Sequence, residues 1–212
     1  MKLKKLGHCC FVAEPKEGVR IMTDPGAFST LQHEEINISA ILITLEHQDH
    51  MHIESLQKVL INNPNALVIT NTAVGKFLTE ANISYIKIEE GESYDIRGVK
   101  ISGFGNIHAE IYKEYGQVQN TGYMIENLCY AGDAFHYPDA EVDILALPVA
   151  GPWMKIKDAI DYAKNINPRI VFPVHDAYIH DWAKFIWDAP EKFLAELGIK
   201  FKKPELGKEE EI

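Results

Sequence analysis

Long apolar runs are missing from this 212-residue sequence, and so are paired cysteines and any excess of basic residues. A bilayer span needs roughly 18–20 consecutive apolar residues, so no membrane span is expected. Cysteine is scarce and odd in number, Cys9, Cys10 and Cys129, which is not the count of a disulfide framework. The lysine-bearing N-terminal stretch has too short an apolar core for a secretory signal. A cytoplasmic protein is the expectation. Lys and Arg total 21 against 31 Asp and Glu, a formal net charge of -10. A surface that acidic repels phosphate backbones, so a nucleic-acid partner is not expected. Linkers rich in Pro, Gly or Ser, low-complexity blocks and fixed-period repeats are also lacking. One domain over residues 1–212 follows, with a charged, frayed tail from about Lys202.

What is present is an ordinary globular balance, 46% hydrophobic and 25% charged, enough for a sizeable core. Apolar stretches at 3–6, 9–13 and 19–23, with a Lys16-Glu17-Gly18 turn before the last, predict a meander that includes Cys9 and Cys10. The continuous run 38–44 predicts an interior strand. Helical spacing follows at 53–61, then a strand at 66–70 and a helix near 73–81 with Thr72 as N-cap. Strands are predicted at 85–88, 93–96, 99–104, 122–126, 128–131, 144–148 and 170–174. Helices are predicted at 156–165 and, broken near Pro190, across 182–197. Strand meanders that give way to strand–helix alternation, twice over, predict an α/β (α+β) sandwich with outer helices.

Nine histidines are present, and their placement carries the chemistry. His47, Asp49 and His50 directly follow the interior strand. His108, Asp133 and His175 each follow a different strand, so four strand ends deliver imidazole or carboxylate to loops, where rigid sheets present active sites. Imidazole with carboxylate is the ligand set of zinc, iron and manganese. A lone histidine after a strand is usually a hydrogen-bonded loop residue. The joint order His-x-Asp-His, His, Gly-Asp, Pro-x-His is much harder to assign to chance.

The segment Thr44-Leu45-Glu46-His47-Gln48-Asp49-His50 resembles the Thr-His-x-His-x-Asp-His motif of the metallo-β-lactamase superfamily. Gly7-His8 and Thr23-Asp24-Pro25 are similar to elements of its branch with L-ascorbate-6-phosphate lactonase and the N-acylphosphatidylethanolamine phospholipase D enzymes. Gly132-Asp133 and Pro173-Val174-His175 resemble its later motifs. The likeness runs from about Gly7 to Asp176 and implies a four-layer αββα sandwich with metals at one edge. It further implies a complete second site of Asp49, His50 and His175, with Asp133 bridging. The first site keeps His47 and His108 but has Leu45 in place of its third imidazole. Leucine cannot donate to a metal, so one strongly bound divalent ion, with zinc ahead of manganese or iron, is expected beside a weak or absent second. His52 and Glu46 are conceivable substitutes, and neither is favoured.

His8 and Asp24 are candidates to support the ligands from behind, although a turn aspartate before proline needs no such role. His136 and His180 read as polar loop residues that could line a pocket. Trp153, Tyr178 and Trp182 offer an apolar wall, with core packing as the plainer reading. The implied activity is hydrolysis of an ester, lactone, amide or phosphodiester in a small molecule, with Asp49 as the catalytic carboxylate that orients the attacking water. A degenerate member that only binds metal or ligand is the alternative, and Leu45 is its best support. Di-iron oxygen reductases of the same fold are disfavoured by Leu45 and His47, and an RNA-processing nuclease by the acidic charge.

Overall fold

The computed structural model of the chain describes residues 1–212, the side chains of Asp181 and Lys184 excepted. The first half runs β1 (Lys2–Lys5), β2 (Phe11–Lys16), β3 (Val19–Thr23), β4 (Ile38–Leu42), α1 (Ile53–Asn62), β5 (Leu67–Thr70), α2 (Thr72–Glu80) and β6 (Ile86–Lys87). Then follow β7 (Ser93–Ile96), β8 (Val99–Phe104), β9 (Gly122–Ile125), β10 (Leu128–Tyr130), β11 (Ile144–Pro148), α3 (Ile156–Ile166) and β12 (Ile170–Val174). The chain closes with α4 (Asp188–Ala195), β13 (Lys200–Phe201) and β14 (Glu209–Glu211). They form two seven-stranded sheets, ordered β14-β1-β2-β3-β4-β5-β6 and β13-β12-β11-β10-β9-β8-β7.

Alternation along each strand builds the layers. In β4, Ala40 and Leu42 face a core shared with Phe11, Ile21, Tyr123, Tyr130 and Phe172, drawn from both sheets. The intervening Ile41 faces the other way, onto Leu56 and Val59 of α1 and Val74 and Leu78 of α2. The second sheet does the same, with Leu145, Leu147 and Val171 packed on Ala159, Tyr162 and Ala163 of α3 and Leu194 of α4. A period of two thus buries both faces of each sheet. Strands β3 to β6 and β10 to β13 pair in parallel, as expected of strands covered on both sides. The expected mixed α/β sandwich with helices outside both sheets is what forms.

Four local expectations need correction. The cap of α2 is Asn71, whose side chain accepts from the Val74 N–H, and Thr72 is already helical. Pro190 does not break a helix; it lies in the first turn of α4, where its missing N–H costs nothing, and the break falls earlier, after a 3₁₀ turn over Asp181–Trp187. The tail is not frayed. Glu209–Glu211 pairs antiparallel with Lys2–Lys4, and Lys2–Glu209 and Lys202–Glu210 ion pairs at 3.5 and 2.8 Å line acidic residues against basic ones. Cys9 and Cys10 precede β2 rather than lie in it, and both are buried.

Candidate metal centre

One end of the sandwich collects the chain's chemistry, because parallel strands release their C-terminal ends on the same side. Asp24 follows β3, His47 to His50 follow β4, His108 follows β8, Asp133 follows β10 and His175 follows β12. Several of these turns need unusual backbone, Asp24 at φ 33 among them. His175 has φ 57, rare for a residue with a Cβ. Its backbone N–H donates to the His8 carbonyl at 3.1 Å. Gly132 has φ +65, and a Cβ there would meet the Asn120 Oδ1 at 2.3 Å, so glycine is required for Asn120 to accept from the Asp133 N–H at 3.0 Å.

Asp24 is the hub behind the cluster. It is fully buried and accepts from the Thr44 N–H at 2.8 Å, the Thr44 hydroxyl at 2.7 Å and the Tyr130 hydroxyl. His50 Nδ1 donates to the same carboxylate at 2.8 Å. That bond fixes the ring and turns Nε2 outward. His108 is fixed the same way, Nδ1 donating to the Ala109 carbonyl at 2.5 Å.

The atoms turned outward converge. His50 Nε2 lies 3.1 Å from Asp133 Oδ1 and 3.8 Å from Asp49 Oδ2. His175 Nε2 lies 3.2 Å from Asp133 Oδ2 and 3.6 Å from Asp49 Oδ2. A tetrahedral cation with bonds of about 2.1 Å sets its ligand atoms roughly 3.4 Å apart, and these four separations straddle that edge. Several of the atoms have nothing else to do. Among the described residues, His50 Nε2, His108 Nε2 and Asp133 Oδ1 are buried without a hydrogen-bond partner. The 3.1 Å approach of His50 to Asp133 is close but out of hydrogen-bond alignment. The donor set fits a divalent ion.

Electrostatics agree with the geometry. Burial opposes charge on His50, yet Asp133 and Asp24 outweigh it and push the imidazole well above its usual pKa. Burial would raise the Asp133 carboxyl, but His50 and His175 hold it well below the carboxylate range. Asp49 shows the same contest, burial losing to His8 and His50. A proton and a cation therefore compete for one position on His50.

The other flank is sparser. Ligand atoms of His47, His108 and Asp133 lie within 4.8 Å of one another, and His108 Nε2 is 3.3 Å from Asp133 Oδ2. Leu45 is 0% exposed and is absent from all three apolar clusters of the core. His47 is only partly buried, and burial and the nearby His108 lower its pKa.

The structure brings all six expected ligand residues into this cluster and sets other candidates aside. His52 precedes α1 and bonds the Ser55 hydroxyl at 3.0 Å and Glu54 at 2.9 Å, and Glu46 stays outside the group of His47, His108 and Asp133. His136 donates to the Ile107 carbonyl at 2.8 Å, and His180 stacks on the exposed Trp182. Trp153 is buried beside His108 and His175, whereas Tyr178 is 50% exposed with its hydroxyl 3.4 Å from Asp49 Oδ2. Sequence reasoning missed Thr44, Asn120, Tyr130 and Lys5. The buried Lys5 ammonium donates to the Pro173 carbonyl at 2.7 Å and to Asp176, bracketing His175. Only Thr44, inside the motif, left any signal.

Comparison with known proteins shows the family and the fold. The family described as "Beta-lactamase superfamily domain" matches residues 2–175. Protein Rv0786c of Mycobacterium tuberculosis is 32% identical over 193 residues, covering 88% of this chain and 89% of that one. A UPF0173 metal-dependent hydrolase of Nanoarchaeum equitans is 30% identical over 192 residues, covering 82% and 83%. Among solved structures, Igni18, a metallo hydrolase of Ignicoccus hospitalis, superposes with a TM-score of 0.77 at 19% identity, covering 100% and 98%. The metallo-beta-lactamase fold protein YhfI of Bacillus subtilis gives 0.72 at 13%, covering 99% and 98%. At these identities the structures speak for the fold alone.

Proposed function

The chain belongs to the beta-lactamase superfamily domain family, and from that premise we propose that it is a metal-dependent hydrolase built on one firmly held divalent cation. The observation that carries this reading is the cage of Asp49, His50, Asp133 and His175, with edges of 3.1 to 3.8 Å and buried nitrogen and oxygen left without partners. Zinc suits that donor set first, with manganese and iron behind it. His47 and His108 with Leu45 make a second ion weak or absent. Relatives named metal-dependent hydrolases support the same activity.

A bound divalent cation lowers the pKa of a coordinated water to about 7 and polarises the bond to be broken. The chain's own residues do the rest. Asp49 orients the attacking water and takes its proton. Asp24 keeps His50 in one tautomer, and Asp133 joins the two flanks. The substrate is a small molecule with an ester, lactone, amide or phosphodiester bond, in keeping with the lactonase and phospholipase D likeness of Gly7-His8 and Asp24-Pro25. The acidic surface argues against nucleic acid.

Leu45 favours a second reading, a member that binds metal or ligand without turnover. Reconstitution with zinc or manganese, followed by metal analysis and an assay on generic lactones, esters, amides and phosphodiesters, separates the two. The expected result is about one tight ion per chain and hydrolysis that a chelator abolishes. Metal without turnover on any substrate selects the binding reading. No metal at all refutes the hydrolase and leaves only a ligand-binding member.

A further inference from the structure

Beside His47, His50, His108 and His175 the cluster contains a fifth imidazole, which the mechanism above does not use. Ligand-type atoms of His8, Cys9, His50 and His175 lie within 4.8 Å of one another, so distance alone would make His8 a metal ligand. Its hydrogen bonds say otherwise. His8 is 1% exposed, and its Nδ1 receives the backbone N–H of Ala177 at 3.1 Å. A backbone amide can only donate, so Nδ1 must accept, and in the neutral ring the proton then sits on Nε2. That Nε2 faces Asp49 Oδ2 at 3.2 Å.

Resting on the functional reading above, we propose that His8 is a positioning residue for Asp49 and not a metal ligand. The protonated Nε2 has no lone pair to give a cation. It does have a proton to give Asp49 Oδ2, an oxygen that also receives the Tyr178 hydroxyl at 3.4 Å. His8 also spans the sandwich. Its carbonyl takes the His175 N–H at 3.1 Å and its ring takes the Ala177 N–H, both from the loop after β12, while Asp49 follows β4 in the other sheet. One residue therefore sets the spacing between two candidate ligands that come from different sheets.

The preceding residue explains why this position is reached. Gly7 has φ +148, and a Cβ there would lie 2.7 Å from the Ser29 hydroxyl and 2.9 Å from its Cα. The Gly-His pair thus works as a unit, the glycine passing close to Ser29 so that the histidine backbone meets His175.

Two measurements on the full chain test this. In the zinc-loaded protein labelled with ¹⁵N-histidine, long-range proton–nitrogen spectra should show His8 as the Nε2–H tautomer with neither nitrogen shifted by metal. His8→Ala should weaken zinc 10–100-fold, the usual range for residues behind the ligands, at unchanged stoichiometry and with the cobalt(II) absorption bands in place. His8→Gln, which keeps an N–H at similar reach, should recover affinity to within a few-fold. A proton on Nδ1, a zinc-shifted His8 nitrogen, or a glutamine variant no better than alanine overturns the proposal. If the variants do not fold, the wild-type ring spectrum decides alone. If the wild type takes up neither zinc nor manganese, the functional reading fails, and the tautomer in the metal-free chain still decides this one.

Discussion

On one flank of the cluster, each histidine is held at a second point. His50 leans on Asp24, His175 is held through its backbone by His8, and Lys5 braces the adjoining Pro173 and Asp176. On the other flank the His108 ring is braced at Ala109, while His47 is partly exposed and is held through its carbonyl, which takes the His50 and Met51 N–H groups at 2.9 and 2.8 Å. The donors on the two sides are chemically alike. What differs is how much of the fold is committed to aiming them, and a metal's affinity depends on that commitment as well as on the number of ligands.

The largest effect is expected from removing the brace on the strong flank. Asp24 has φ 33, a backbone that asparagine tolerates, so Asp24→Asn tests the carboxylate and not the turn. The new amide N–H₂ would face the Thr44 and Tyr130 hydroxyls and the His50 ring, all now aimed at Oδ2. Buried groups left unpaired cost about 1–3 kcal/mol each, so a loss of roughly 3 kcal/mol in stability is expected by denaturant titration. Metal affinity should fall 10–100-fold in chelator competition. An Asp24→Asn chain with unchanged affinity would erase the difference between the flanks.

The next test strengthens the weak flank. Leu45→His should raise metal content from about one towards two ions per chain and increase turnover. In the metal-free state the same variant should lose about 1–2 kcal/mol, because a fully buried imidazole replaces a leucine without a partner. If neither stoichiometry nor turnover moves, Leu45 is not what limits that side.

How much of this could be read from the sequence follows from the range of each interaction. The strands were legible because a period of two and continuous apolar runs are local, as at Ile38–Leu42 and Ile170–Val174. The ligand residues were legible because each sits a few positions beyond a strand. What stayed hidden was non-local. Nothing near Tyr130 says that its hydroxyl meets Asp24, 106 residues away, and nothing near Lys5 points to Asp176. His8 was expected to support a candidate ligand, but nothing near it in the sequence says that Asp49, 41 residues away, is the one it meets. The charged tail looked frayed because its partners, Lys2 and Lys4, lie at the other end of the chain.

The smallest effect is expected on the sparse flank, away from the ligands. Glu89 Oε1 accepts from the Thr72 N–H and from the Gln119 side chain, both at 2.9 Å, while Gln119 Oε1 takes the Ala73 N–H at 2.9 Å. With Asn71 capping Val74, the first three amides of α2 are all satisfied, and the strand-to-strand segment bearing His108 is tied to that helix start. These bonds, with help from Lys87, lower the Glu89 pKa to about 2. A depressed carboxylate stabilises the fold above its unfolded pKa of about 4.3 and loses that contribution as pH falls through the folded value. Glu89 is partly exposed, so solvent screening cuts the benefit to about 1 kcal/mol. Glu89→Gln should therefore cost about 1 kcal/mol in urea denaturation at pH 7, and the gap to the wild type should shrink between pH 4.5 and 2. A gap that is constant across that range would mean that packing and not charge holds this flank. Metal affinity should move less than with Asp24→Asn, because Glu89 steadies a helix and a loop rather than the aim of a ligand.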